Sequence, residues 1–265
     1  MAAFCADAAG FWTYIAINGL QGDKDIAEAF SATYGLMALF GGVVGLKVSR
    51  RWGGYKSLIG KSVFFMSLGL LAQEAGQLTY SGYTYIAHRE IPYPSLGDIF
   101  YFGSVILYIL AAWSLVKALS TKTATRNSKY LVLALIVPAT LLGFSYYIFL
   151  RGHNYDFSHP LTVFLDFGYP MGQAIYVSLA IMALILSVRY LGGIMKPVIL
   201  FVIFALVFQY VADFGFLYQV SRETWKTAGT NELIYLISYF VMTLSLIEFE
   251  RVLDRLSGKA KNEDQ

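Results

Sequence analysis

The segment PSLGDIFYFGSVILYILAAWSLVK (94–117) decides the fold class of this chain. Asp98 is its only charged residue before Lys117, and the apolar run between the two is long enough to cross a bilayer as an α-helix, which takes about 20 residues. Similar apolar runs recur along the rest of the chain. The sequence therefore predicts an all-α fold, a polytopic helical bundle integral to a membrane.

The composition points the same way. Hydrophobic residues make up 57% of the 265 positions and charged residues only 14%, whereas a soluble domain carries about 25% charged residues. The alternation of apolar and polar residues that is typical of membrane β-strands is absent. The single cysteine, Cys5, excludes an internal disulfide.

Seven segments are predicted to span the membrane, and the status of an eighth, residues 2–20, stays open because it is short and contains Asp7. It is either an eighth span or an interfacial helix. We predict eight transmembrane helices, with seven as the alternative, in a single domain over residues 1–256, followed by a short cytoplasmic polar tail over 257–265. The seven clear spans are 29–48, 57–82, 96–118, 129–150, 163–188, 196–219 and 231–250.

Charge divides the predicted loops into two sets. Most of the 20 lysines and arginines fall in alternate connections, and most acidic residues fall near the others. Because basic loops stay on the cytoplasmic side, this pattern predicts a multi-pass protein of the inner cell membrane with a cytoplasmic C-terminus. The basic segments are 47–61, 117–129, 189–196 and 251–261.

An acid-x-x-Tyr-x-x-small pattern opens several helices that run from the outer to the inner side. The preceding helices also correspond, since two polar residues one turn apart recur in them. We therefore predict a bundle built from repeated helical hairpins that are related about an axis along the membrane normal. The three full copies are Asp98–Tyr101–Ser104, Asp166–Tyr169–Gly172 and Glu232–Tyr235–Ser238, the degenerate copy is Ser31–Tyr34, and the matching pairs are Gln73/Gln77 and Gln209/Asp213.

These patterns nominate an outward-facing polar and aromatic site for a small-molecule ligand. Glu74 and Asp213 lie within apolar spans, where an ionisable side chain is costly and usually faces a cavity or a partner. The predicted ligand-binding residues are Glu74, Gln77, Asp98, Tyr101, Asp166, Tyr169, Gln209, Asp213, Glu232 and Tyr235.

The position of Asp98 allows two interpretations. It follows Ser95 by three residues, which is the spacing of a capping box, or it contacts a ligand at the outer mouth. If the ligand reading holds, Asp98→Asn alters function more than stability.

No catalytic constellation appears, so we do not expect an enzyme. The sequence predicts no metal site and no cofactor, because the three histidines fall in outer loops and the last span has no lysine for a retinal Schiff base. The expected partners are the lipid bilayer, a small ligand and a cytoplasmic signalling protein, with no nucleic acid. The histidines are His88, His153 and His159.

Three stretches carry a resemblance to known proteins. PYPSLGDIFYFGS (92–104), DFGYPMG (166–172) and YVADFGF (210–216) together resemble the membrane-embedded sensor regions that precede bacterial diguanylate cyclases and histidine kinases. Those regions carry a Pro-x-Pro-Ser-Leu-Ala-Asp-like motif, and Gly97 stands here where the motif commonly has alanine. The resemblance implies sensing without naming a stimulus. No output domain is expected before Gln265, so either a partner supplies the output or the module does something else.

The favoured hypothesis is a sensory or ligand-binding membrane module that signals through its last helix or a partner. The alternative is a small transporter or cation channel, in which Glu74 and Asp213 would line the path. A scaffold or assembly role ranks behind both.

Overall fold

The computed structural model describes residues 1–23, 25–89, 91–119, 128–151, 156–190 and 195–263, and within these ranges the regular secondary structure is helical. In a few helix segments the description covers the backbone alone: 128–131, 133–135, 150, 186–190, 195 and 256–263. Parts of the predicted basic loops and of the tail lie outside the described residues, namely 120–127, 191–194 and 264–265. One of the three histidines, His153, also lies outside them.

Nine α-helices fall within the described ranges. A 3₁₀ turn, Gly54–Lys56, precedes the fourth, and two π-helical turns, Gly82–Ile86 and Tyr146–Leu150, extend the fourth and sixth. The helices are α1 Ala2–Ile17, α2 Ile26–Thr33, α3 Leu36–Arg51, α4 Leu58–Ser81, α5 Leu96–Leu119, α6 Ser128–Ser145, α7 Pro160–Tyr190, α8 Met195–Ser221 and α9 Thr230–Glu263.

Six helical segments of the described chain are long and apolar enough to cross a membrane, which indicates a multi-pass membrane protein. They are Ile26–Arg51 (α2 with α3), Leu58–Ile86, Leu96–Leu119, Pro160–Ile185, Lys196–Ser221 and Thr230–Arg255. Two apolar helices are shorter, Ala2–Ile17 and Ile136–Phe149. The 16 residues of α1 extend about 24 Å, short of a hydrocarbon core of about 30 Å.

The long helices form a closed ring. In the order α3, α4, α5, α7, α8 and α9, each helix packs against the next, and α9 packs back against α3. Helix α6 packs against α7, and α1 packs against α2 and α9, so both sit outside the ring.

Small residues of α3 bring three helices together where the ring closes. A Cβ atom added at Gly45 would collide with Ser67 of α4 and Leu246 of α9, and one added at Gly41 would collide with Thr243 of α9. Glycine at such contacts lets helix backbones approach closely, which is a common way for helices to associate in a membrane.

The C-terminal part of α9 is fastened to the end of α3. The guanidinium of Arg51 pairs with Glu250 at 2.7 Å and with Asp254 at 2.6 Å. Next to it, the indole N–H of Trp52 donates to the carbonyl oxygen of Phe249 at 3.1 Å. These contacts lie at the end of the ring where basic residues concentrate.

Candidate functional site

A cavity of about 920 Å³ opens at the opposite end of the ring. Its wall comes from α2, α4, α5, α7, α8 and α9, and its mouth from the loop after α4, the π turn after α6 and the loop after α8. Among the described residues that line it are Gln73, Gln173, Asp213 and Tyr239, and no residue of α3 lines it. Further along the ring, buried apolar side chains fill the interior, among them Met66. The cavity is therefore open at one end.

Eight of the ten predicted ligand-binding residues lie in the wall of this one cavity. They are Gln77, Asp98, Tyr101, Asp166, Tyr169, Asp213, Glu232 and Tyr235. The other two, Glu74 and Gln209, are buried but do not line it. Gln209 lies behind the wall, where its amide donates to Asp213 at 2.9 Å.

Two hairpins form hydrogen bonds between the same pairs of positions, as the repeat predicts. In the α4–α5 hairpin, Tyr101 donates to Gln77 at 3.0 Å and the amide of Gln73 donates to Ser104 at 2.8 Å. In the α8–α9 hairpin, Tyr235 donates to Asp213 at 3.0 Å, and Ser238 donates to Gln209 at 2.7 Å, with the direction of the second hydrogen bond reversed. The correspondence of these pairs therefore extends from spacing to contacts.

Other hydrogen bonds join one hairpin to the next around the ring. Tyr169 of α7 donates to Asp98 of α5 at 2.9 Å. Ser31 of α2 donates to Glu232 of α9 at 2.5 Å. Tyr239 of α9 donates to Gln73 of α4 at 3.0 Å. The acids and tyrosines thus connect neighbouring helices as well as lining the cavity.

Asp98 closes a helix cap and also bonds to a neighbouring helix. Its Oδ2 atom accepts the backbone N–H of Ser95 at 2.7 Å and the Ser95 hydroxyl at 2.9 Å, which is the backward bond of a capping box. Its Oδ1 atom accepts from Tyr169. Both atoms are committed and the residue is 5% exposed, so Asp98 has a structural role whatever ligand the cavity takes.

Asp213 receives three hydrogen bonds. Oδ1 accepts from Gln209 and Tyr235, and Oδ2 accepts from Tyr176 at 2.8 Å. A carboxylate is an acceptor with about four lone-pair sites, so three donors are well accommodated. Tyr176 belongs to α7, and this one side chain therefore joins α7, α8 and α9.

Glu74 differs from the other buried acids. It is 2% exposed, and neither carboxylate oxygen has a hydrogen-bond partner among the described residues. It lies against Gly35, between α2 and α3, where an added Cβ would collide with it. A buried polar group without a partner calls for an explanation, such as a bound ion, a bound water or a functional role.

We expect Glu74→Met to raise the unfolding free energy by about 1–2 kcal/mol, because it removes an unpartnered buried polar group and keeps a side chain of similar length. Denaturant titration in mixed micelles measures this. The matched control is Gln73→Met at the adjacent position, which strands the partners Ser104 and Tyr239 and should lower stability. Equal losses of unfolding free energy in Glu74→Met and Gln73→Met would contradict the conclusion that Glu74 has no hydrogen-bond partner.

Several wall residues were not among the predicted ligand-binding residues. Ser31 and Tyr34 belong to the degenerate copy of the repeat, and that match was the signal available for them. Tyr34 donates to Gln77 at 3.2 Å. Tyr239 follows Tyr235 by one helical turn, which also places it on the same face. Tyr93 donates to Asp166 at 2.8 Å from the loop before α5, a contact that no helical periodicity reports.

The described histidines lie on the surface. No group of three or more potential metal ligands occurs among the described residues. His159 pairs with Asp156 at 3.0 Å. Hydrogen bonds from Ser158, with a smaller effect of His159, lower the pKa of Asp156 to about 2.

No protein-family model, curated protein or solved structure matches the chain.

Proposed function

We propose that the chain is a membrane-embedded sensory module that binds a small ligand in the cavity and transmits its occupancy through α9. In this proposal the eight predicted segments span the inner membrane as repeated hairpins, with seven spans as the alternative. The cavity faces outward and the C-terminus lies in the cytoplasm. The positive-inside pattern supports this orientation, because the cavity end carries acids and the other end carries the basic segments.

The observation that carries the proposal is the form of the cavity. It is enclosed by helices, ends within the bundle and presents carboxylates and tyrosines toward one space. Ligand pockets are typically clefts of about 300–1,000 Å³ with a few convergent polar groups. A pore would need a path to the opposite end of the ring, where buried apolar residues fill the interior instead.

Helix α9 is the suggested route for a signal. It contributes Glu232, Tyr235 and Tyr239 to the cavity wall, and it continues as a helix to Glu263, into the predicted cytoplasmic tail. A ligand that binds these side chains differently in two positions of α9 would shift the equilibrium between them. The resemblance to sensor regions of bacterial signalling proteins is consistent with this proposal.

A ligand screen tests the proposal. The full chain in lipid nanodiscs is screened against a broad metabolite panel for shifts in melting temperature, and at least one compound is expected to stabilise it by mass action. Ala32→Trp, which fills the cavity from α2, should abolish that shift. The matched control is Ala139→Trp on the exposed face of α6, which should keep it. An unchanged shift in Ala32→Trp would contradict binding in this cavity.

Transport is a second candidate, and Glu74 is the observation that favours it. An unpartnered buried carboxylate within a membrane helix, here next in sequence to the wall residue Gln73, is typical of proton and cation pathways. If the chain transports, Glu74→Gln abolishes flux into proteoliposomes while Glu250→Gln, at the other end, does not. Absence of flux in the wild-type protein, together with ligand binding, would leave the sensory proposal.

A further inference from the structure

The polar groups of the cavity wall divide unequally into donors and acceptors. Six wall tyrosines donate their hydroxyl hydrogens to other wall or helix groups, so those hydrogens are already used. The amides of Gln73 and Gln77 donate to Ser104 and to the Ser31 carbonyl oxygen. The Ser31 hydroxyl donates to Glu232. These donor hydrogens are therefore committed within the protein.

The acceptors are less fully occupied. A phenol oxygen that donates its hydrogen still has lone pairs for a further partner. At Glu232, the Oε2 atom accepts both hydrogen bonds of the side chain, one from Ser31 and one from the backbone N–H of Ala228 at 2.8 Å. The Oε1 atom is outside the set of buried unsatisfied atoms, although the residue is only 4% exposed and lines the cavity. Oε1 is therefore a carboxylate oxygen that remains open to the cavity.

The charges of the wall agree with this division. Among the described residues the cavity is lined by six acidic side chains and two arginines, with no lysine. The arginines lie at the mouth, where Arg151 stacks on Tyr147 and Arg222 on Tyr218, at 5.1 and 5.7 Å from the ring centroids. The interior therefore carries a negative field and is lined with tyrosine rings, both of which attract cations.

We propose that the ligand is a small organic cation, a primary amine or guanidinium compound, whose charged group binds Glu232 Oε1 beside Tyr235 and Tyr239. A ligand group gains most where it supplies what the wall lacks, and among the described residues this wall has carboxylates in its interior and no lysine. Ammonium and guanidinium groups bring both a positive charge and donors for Glu232 Oε1, whereas an anion would meet the wall's own carboxylates and a neutral diol would lack the charge that strengthens such a hydrogen bond. This inference rests on the proposed function, because it names the ligand class of the same cavity.

Three four-carbon compounds test the inference with nearly constant shape. The full chain in nanodiscs is titrated at constant ionic strength with 1,4-diaminobutane, 1,4-butanediol and succinate, and agmatine adds the guanidinium case. The amines are expected to raise the melting temperature and the diol and dicarboxylate are not. Glu232→Gln is expected to weaken amine affinity at least about tenfold, the loss of one charge-assisted hydrogen bond.

Two controls make the result specific. Glu250→Gln removes the same charge from the part of α9 that pairs with Arg51, away from the cavity, and should leave amine affinity unchanged. Because Glu232 also caps the start of α9, the melting temperature of unliganded Glu232→Gln shows whether that variant folds. A second variant, Glu232→Asp, keeps the charge and should keep part of the amine affinity.

The outcomes separate the two proposals. Stabilisation by succinate or by the diol but not by the amines would overturn the cation assignment and leave a ligand-binding cavity. Equal amine affinity in Glu232→Gln and wild type would overturn the assignment of Glu232. No shift with any of these compounds, nor with the broad panel, would overturn both the ligand class and the sensory function.

Discussion

Asp213→Ala is expected to lower the unfolding free energy by about 3 kcal/mol, the largest loss that a single substitution in the cavity wall should cause. The change strands three buried donors, on Gln209, Tyr176 and Tyr235, and each unsatisfied group costs about 1–3 kcal/mol. Hydrogen bonds between membrane helices can be worth less, about 0.6 kcal/mol on average, so the estimate takes the low end for each donor.

Denaturant titration in mixed micelles measures the Asp213 effect. Asp254→Ala is the control, since it deletes an aspartate from an exposed pair with Arg51 that solvent screens. The control should change stability much less. A loss at Asp213 no larger than that at Asp254 would contradict the view that this side chain holds α7, α8 and α9 together.

Asp98→Asn is expected to cost about 2 kcal/mol. An asparagine has a single side-chain carbonyl oxygen, so it can accept a hydrogen bond from Ser95 or from Tyr169 but not from both. Its NH₂ group, itself a donor, then faces the other of these two donors. The sequence led us to expect a larger effect on function than on stability. Because both Asp98 oxygens accept hydrogen bonds within the protein, we expect instead a clear loss of stability. Any loss of ligand affinity would come in addition to that loss.

A double-mutant cycle with Tyr169→Phe isolates the contact between helices. Phenylalanine removes the stranded hydroxyl, so the Asp98→Asn/Tyr169→Phe double variant should be less destabilised than the sum of the single changes. Additive losses would mean that the Asp98–Tyr169 hydrogen bond contributes nothing and that the residue acts as a cap alone.

Hydropathy and charge were sufficient to predict the helical class and the approximate positions of the long helices. The six long apolar helices each overlap a predicted span, because the need to satisfy backbone hydrogen bonds in an apolar phase leaves helices as the natural form of such runs. Residues 2–20 were the uncertain segment, and α1 is indeed too short to match the others in length. The positions of the π turns after α4 and α6 had no sequence signal that we recognised.

Spacing along single helices also brought most of the candidate residues to one place. Eight predicted residues share a cavity because acids and tyrosines three apart lie on one helix face. Spacing could not distinguish the two that do not line it. Gln209 and Glu74 have the polar character of wall residues, yet one bonds to Asp213 from behind and the other faces Gly35.

Contacts between hairpins could not be predicted from the sequence. The closure of α9 on α3 depends on glycines of α3 that meet Ser67 and Leu246, and no local pattern tells which helix will face them. The same holds for the hydrogen bond from Ser31 to Glu232, which joins residues 201 positions apart. These tertiary contacts decide which oxygens are free for a ligand.

An experimental density map of the protein, purified from native membranes in nanodiscs without added ligand, tests the central claim most directly. We expect density larger than water within the cavity, in hydrogen-bonding reach of Glu232 and bounded by Tyr235 and Asp213, with the ring closed on the side of Arg51. A cavity that runs through to the opposite end of the ring, or one filled by the protein's own side chains, would contradict it.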